Sequence, residues 1–268
     1  MTSVSVSRTD STSGAEPALD ARSVSKSFGP VRALTDANLL VWPGEVVGLI
    51  GDNGAGKSTF IKCISGRLRP DSGTIRVGGK IFRATSPSAA RAAGIEVVYQ
   101  NLALVDSIDI ASNLFLGREP VFGRGALRYL GLLRVKKMRA ETAQALDELG
   151  VKLRGLSMTD TVEHLSGGQR QAVAVARAVV WGQRIVLMDE PAAALGVEQT
   201  RHVLELVQQL KRRDVGVVFI SHTMQQVLDV CDRITVMRQG RTVGTVFAKD
   251  VTGDDLVSYM TGTMTPPT

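Results

Sequence analysis

Eight residues, Gly51-Asp52-Asn53-Gly54-Ala55-Gly56-Lys57-Ser58, carry the pattern G-x-x-x-x-G-K-[ST], with Thr59 directly after. That spacing suits the holding of a phosphate chain. Glycines let the backbone curl until successive N–H groups face one anion. A helix opening at the end of the loop adds the positive end of its dipole. Lys57 has the reach for the β- and γ-phosphates of a nucleotide, and Ser58 the hydroxyl for Mg²⁺.

A second candidate is Ile185-Val186-Leu187-Met188-Asp189-Glu190, an apolar run that ends in two acids. In a parallel sheet, ligands sit beyond the carboxyl ends of the strands. Asp189 there could hold Mg²⁺ through water, and Glu190 could orient or deprotonate an attacking water. A third is Leu165-Ser166-Gly167-Gly168-Gln169. Ser166 and Gln169 have the spacing of a capping box, and the two glycines leave free N–H groups at a helix start. Such a helix start suits a phosphate held by another chain.

The elements that must position these residues follow from periodicity. Glu45–Ile50 leads into the phosphate loop as a strand, and Lys57–Ser65 leads out as a helix. Leu39–Val41, Thr74–Val77, Ile95–Tyr99, Ile185–Asp189, Gly216–Ile220 and Ile234–Met237 read as further strands. Gly167–Val180, Val197–Arg212 and Met224–Val230 read as helices between them. This alternation predicts a doubly wound α/β sheet. Residues 101–165 differ, with helical periodicity at Ile108–Leu116 and Lys136–Leu149 and a Gly- and Arg-rich loop at Gly117–Gly131. They read as a helical insertion.

A chain of 268 residues holds one α/β domain, or a core with an inserted subdomain. At 44% apolar residues it can bury a core, and at 22% charged residues it is ordinary for a globule. The net charge of +6 is spread out. Its clusters, Arg134–Arg139 and Lys211–Arg213, read as solvated helix faces. Cys63 and Cys231 match no metal spacing and read as reduced core residues. No apolar run reaches the roughly 18 residues of a spanning helix, and Met1–Glu16 has no apolar core of a secretory signal. Any role at a membrane then works through a partner.

Taken together, the sequence resembles the ATP-binding cassette (ABC) transporter ATPases from about residue 19 to 262. The resemblance rests on Gly51–Thr59, Gln100 after a strand, Leu165–Gln169, the acid pair Asp189–Glu190, and His222 after Gly216–Ser221. It implies a phosphate-loop NTPase core, a mostly parallel sheet flanked by helices plus an antiparallel β subdomain, over 18–100 and 166–262. A helical subdomain is implied at 101–165, and disordered tails at 1–17 and 263–268. The implied cofactors are ATP and Mg²⁺. Phe28, in Ser25-Lys26-Ser27-Phe28-Gly29, would stack on adenine. Ser58, Asp189 and Gln100 would serve the metal, and Gln100 would report to a membrane subunit. His222 would contact the γ-phosphate. Ser166, Gly167, Gly168 and Gln169 would close over the ATP of a second copy, so that two chains sandwich two ATP molecules.

Within that family, Val98–Leu104, Asn113–Glu119 (which contains Phe-Leu-Gly-Arg-Glu) and Ala193–Val197 look like the monosaccharide importers of the ribose, xylose and fructose type, here as a single cassette. The implied partners are an ABC permease, a second copy of the chain and, indirectly, a sugar-binding protein, with no nucleic acid. The implied location is peripheral, on the cytoplasmic face of the cell membrane. Two positions depart from the wider family: Ala192, where Thr is common, and Gly196, where Asp is common. The alternative readings are an ABC ATPase for another solute and a soluble, non-transport ABC ATPase. The latter usually carries two cassettes with a charged linker, or a long coiled-coil insertion, and neither stands in this sequence.

Overall fold

The computed structural model describes residues 16–83, 85–99, 104–122, 131–151, 157–181, 183–193 and 195–267. In chain order the elements begin with β1 (Leu19–Phe28), β2 (Val31–Val41), β3 (Val46–Ile50), α1 (Lys57–Ile64), β4 (Ser72–Val77) and β5 (Lys80–Phe82). Next come α2 (Pro87–Ala93), β6 (Ile95–Val98), α3 (Ile110–Phe115), α4 (Val135–Glu148), α5 (Gly167–Val180), β7 (Ile185–Asp189) and α6 (Val197–Arg212). The chain ends through β8 (Gly216–Ile220), α7 (Met224–Val230), β9 (Arg233–Arg238), β10 (Arg241–Phe247) and α8 (Gly253–Thr261).

These elements form two compact units. One draws on the chain up to Val97, on Gln183–Pro191 and on the chain from Leu210; the other on Val98–Gly182 and Ala192–Gln209. The first unit holds an antiparallel sheet in the order β2-β1-β4-β5 and a larger sheet in the order β10-β9-β3-β8-β7-β6. In the larger sheet β9, β3, β8 and β7 run parallel, and β10 closes antiparallel on β9. Every residue of β3 and β8 is buried, as continuous apolar runs in a twice-covered sheet must be. Leu19, Leu34 and Leu39 from the antiparallel sheet join Leu49, Leu187 and Ile220 from the larger one. Phe60, Ile61 and Ile64 of α1 complete that buried cluster. Truncating a ring such as Phe60 to Ala in such a cluster costs about 3–5 kcal/mol, so α1 is fastened firmly behind the loop it follows.

In the second unit α3, α4 and α5 pack on one another. Asp109 caps α3 by accepting from Ser112 N at 2.6 Å. Asn113, buried, donates through Nδ2 to the carbonyls of Val105, Ile108 and Asp109 and accepts from Val105 N, which ties the preceding loop to the helix. The distinctive Asn113–Glu119 segment is built the same way. Phe115 meets Trp181 edge-on at 5.2 Å, and Arg118 lies over the same indole at 4.8 Å.

Several expectations shift. The strand expected at Leu39–Val41 is the end of β2, which starts at Val31. α5, which lies beyond the 101–165 insertion read from the sequence, packs on α3 and α4 and belongs with them to the second unit. At the C-terminus, where a loose tail was expected over 263–268, Pro266 is buried, and a Cβ on Gly244 of β10 would stand 2.6 Å from it. Both cysteines are buried and free, and burial pushes the Cys63 thiol up to about 11. Among the described residues no helix is long and apolar enough to cross a membrane.

Candidate active site

The phosphate loop joins β3 to α1, and its shape depends on glycine twice over. Gly51 and Gly56 stand at φ 154° and 99°. A Cβ on Gly51 would meet the Met237 carbonyl oxygen at 2.3 Å, and one on Gly56 would meet the Ala33 oxygen at 2.8 Å. No side chain fits at either place. The loop is braced by two hydrogen bonds: Ala55 N donates to Asp52 O at 3.0 Å, and Gly240 N donates to Ala55 O at 3.0 Å. Gly240 also accepts from Thr35 N at 2.8 Å, so the β9–β10 turn clasps the loop and β2 together.

Lys57 opens α1 and is 8% exposed. Its ammonium donates to the carbonyls of Gly51 and Asp52 and forms no ion pair among the described residues. Burial lowers its pKa, against the opposing pull of Glu190, Asp52 and Asp189. A desolvated cation bonded only to carbonyls suits an incoming polyphosphate. Asp52, Asn53, Gly54 and Ser58 are exposed, Ala55 is buried and Thr59 is half-buried.

Asp189 ends β7, opposite Ile220 of β8. Burial raises the pKa of its carboxyl, and the charge of Glu190 adds to the rise, against Lys57, Lys62 and His222. The charge of Glu190 opposes ionisation of Asp189, and a bound cation relieves that opposition. Mg²⁺ asks a protein for only one or two carboxylates, since phosphates and water complete its shell. Ser58 and Asp189 fit that demand, and no cluster of three or more His, Cys, Asp or Glu is present among the described residues.

Glu190 stands at φ 51°, a left-handed conformation that costs a non-glycine residue of order 1 kcal/mol. Two bonds hold it there. Its N–H donates to Ile220 O at 3.0 Å, and its Oε1 lies 2.6 Å from Nε2 of His222. His222 follows β8 in a turn set by Ser221, whose hydroxyl accepts from Thr223 N at 3.1 Å and donates to Gln226 at 2.8 Å. The strand ends of β7 and β8 thus bring Asp189, Glu190 and His222 together near Lys57. A carboxylate with an oriented imidazole beside it can accept a proton from water.

Phe28 closes the β1–β2 hairpin, paired with Val31, and is 47% exposed, with Lys26 Nζ 5.9 Å from its ring. Two residues past Val31, the Ala33 carbonyl oxygen stands where a Cβ on Gly56 would reach it at 2.8 Å, so the same strand that pairs with Phe28 also borders the phosphate loop.

In the second unit, Ser166 and Gln169 form the capping box reciprocally: Ser166 N donates to Gln169 Oε1 at 2.9 Å, and Gln169 N to Ser166 Oγ at 3.3 Å. Ser166 and Gly167 are exposed, and Gly168 is half-buried. Arg170 carries no pattern in the sequence that marks its part. It anchors this turn, donating to the carbonyls of Leu165 and Glu163 and pairing with Asp106 at 2.9 Å. Gly240 went unmarked too, although Gln239-Gly240 between two alternating runs is a hairpin signal. Gln100 lies outside the described residues.

The pattern that defines the family described as ABC transporter matches residues 34–193. A fructose import ATP-binding protein of Rhizobium meliloti is 48% identical, over 94% of this chain and 96% of that one. A xylose/arabinose import ATP-binding protein of Sulfolobus acidocaldarius is 44% identical, over 91% and 93%. A ribose import ATP-binding protein of Geobacillus kaustophilus is 38% identical over 91% of this chain, but only 48% of that relative's length is covered. Among solved structures, an ATP-binding cassette of an ABC transporter in its ADP conformation superposes with a TM-score of 0.75 at 25% identity, over 91% of this chain and 95% of that one.

Proposed function

The chain belongs to the ABC transporter family, and from that premise we propose that it hydrolyses ATP to drive import of a monosaccharide through a separate membrane permease. The observation that carries the hydrolytic reading is the Glu190–His222 pair at 2.6 Å beside a buried, carbonyl-bonded Lys57. The sugar reading rests on the fructose and xylose/arabinose import relatives, which this chain matches over nearly their full length.

The backbone N–H groups of Gly54–Lys57 hold the phosphates, and Lys57 neutralises charge that builds on them. Ser58 and Asp189 hold Mg²⁺, which supplies Lewis-acid neutralisation of the phosphate oxygens when bound. Glu190 takes the proton of the attacking water, and His222 steadies its carboxylate and then faces the γ-phosphate. Phe28 stacks on the base. Gln100 senses the metal side of the site and passes that state to the permease. Ser166–Gln169 closes over the nucleotide of a second copy, giving two equivalent sites in a dimer at the cytoplasmic face of the membrane. A separate sugar-binding protein delivers the cargo.

Replacing Glu190 tests the hydrolytic reading. Glu190→Gln keeps the shape and removes the base. We expect ATP binding to survive, phosphate release to fall by at least about 100-fold, and an ATP-bound dimer to accumulate in gel filtration. Wild-type turnover in this variant removes Glu190 from its role.

A further inference from the structure

A cavity of about 300 Å³ opens where the β4–β5 hairpin meets the end of α2 and the residue before β7. It is lined by the cations Lys80, Arg83 and Arg184 and by the apolar Ile81, Phe82 and Ala93. Arg184 precedes β7, whereas the acid pair ends it. A strand rising about 3.3 Å per residue separates the two by roughly 20 Å. This cavity is therefore distinct from the phosphate loop.

Arg184 is placed with care. Its N–H donates to Gly94 O at 2.9 Å, and its carbonyl accepts from Gly216 N at 3.0 Å. Its side chain runs over two glycines. A Cβ on Gly94 would meet its Cγ at 3.2 Å, and one on Gly78 would meet its guanidinium nitrogen at 2.8 Å. Both glycines have left-handed φ, 99° and 51°, so the groove is kept open by the backbone itself. Yet neither this guanidinium nor Arg83 nor Lys80 has a carboxylate partner among the described residues. The carboxylate of Glu16 lies against Gly79 in the same hairpin and pairs with none of them. The α2 end adds little opposing charge, since Ala90 and Arg91 carbonyls accept from Gly94 and the Gly94 carbonyl accepts from Arg184.

We propose that this cavity is a second anion site, for a small phosphate monoester whose carbon body rests on Ile81 and Phe82. Two guanidiniums and an ammonium lining one cavity match a dianion better than a lone carboxylate. The volume is at the lower end of small-ligand pockets. The same chemistry comes from a soluble sugar or glycerol phosphate and from the head of phosphatidic acid.

Calorimetric titration of the full chain with glucose 6-phosphate and with glycerol 3-phosphate tests the site, alongside flotation with vesicles of phosphatidylcholine containing phosphatidic acid. Lys57→Ala removes the phosphate-loop cation, and Arg83→Ala/Arg184→Ala empties the cavity wall. Both arginines are exposed, so the double variant is expected to fold. We expect Lys57→Ala to bind the soluble phosphates as wild type does, and the double variant to bind at least tenfold more weakly. Vesicle capture lost only in the double variant assigns the site to lipid instead. Binding unchanged in the double variant, binding lost in Lys57→Ala, or binding of neither probe overturns the proposal.

Discussion

Phe28 separates two roles that one aromatic residue can play. A ring inside a core costs about 3–5 kcal/mol when truncated to Ala. Phe28 is 47% exposed at a hairpin tip, so it has little packing to lose. We expect Phe28→Ala to leave thermal stability within about 0.5 kcal/mol of wild type. Its ATP Kd should rise about tenfold, since base stacking is worth about 1–3 kcal/mol. Denaturant unfolding and nucleotide titration read the two numbers separately. A large stability loss with unchanged affinity would make the ring a packing residue. At this scale the sequence disclosed the chemistry of the site and not its strain. The acids 189 and 190 are legible because an apolar run stops at them. That Glu190 takes φ 51° depends on Ile220 and His222, which lie far along the chain in and after β8.

Elements were legible where a strand buried on both faces writes a continuous apolar run, or where a helix repeats its apolar residues every three or four positions. β7, β8, α5, α6 and α7 fall where periodicity puts them. β1 and β10 leave no clear apolar run because they mix polar and small residues, with one face of each meeting solvent, and β5 is only three residues long with none of them buried. β10 matters most of these, since its turn with β9 braces the phosphate loop through Gly240. A Cβ on Gly240 would meet Ala33 O at 2.8 Å, with φ at 76°. Gly54 has φ 84° but open space around it. We expect Gly240→Ala to cost about 1–3 kcal/mol and to weaken ATP binding, whereas Gly54→Ala should cost only about 1 kcal/mol of backbone strain. Calorimetry with and without nucleotide distinguishes them. Near the C-terminus, α8 is held by a capping box between Thr252 and Asp255. Hydrogen bonds from the Thr252 hydroxyl and N–H hold the Asp255 carboxyl below its ordinary range. A depressed pKa gives stability that is present above the unfolded carboxylate range and lost as pH falls through the folded value. Thr252→Ala should therefore cost about 1 kcal/mol near neutrality, and its difference from wild type should shrink below about pH 4. Paired urea melts at pH 7 and pH 3 check this.

At the scale of the whole molecule, the proposed chemistry draws on patterns that lie in both compact units. The first holds the phosphate loop, the acid pair and His222, and the second holds Ser166–Gln169 on an exposed helix start. The sequence made both halves legible, because each half is a short local pattern. It could not show whether one chain's two halves serve the same nucleotide, since that depends on assembly. Mixing two inactive variants decides the matter. Lys57→Ala disables the phosphate loop. Gly168→Asp places a carboxylate in the turn that, on the proposed reading, meets a phosphate. Among the described residues a Cβ at 168 meets only Gln199, at 3.6 Å, and an acid is favourable at a helix start, so this variant is expected to fold. If each site joins the loop of one chain to the Ser166–Gln169 turn of its partner, a mixed dimer keeps one site with both parts sound. Random pairing of equal amounts makes half the dimers mixed, so about a quarter of wild-type sites are restored in a twofold-symmetric assembly. Phosphate release near that level from two dead parents is the expected result. A mixture as inactive as its parents would mean that both halves act within one chain.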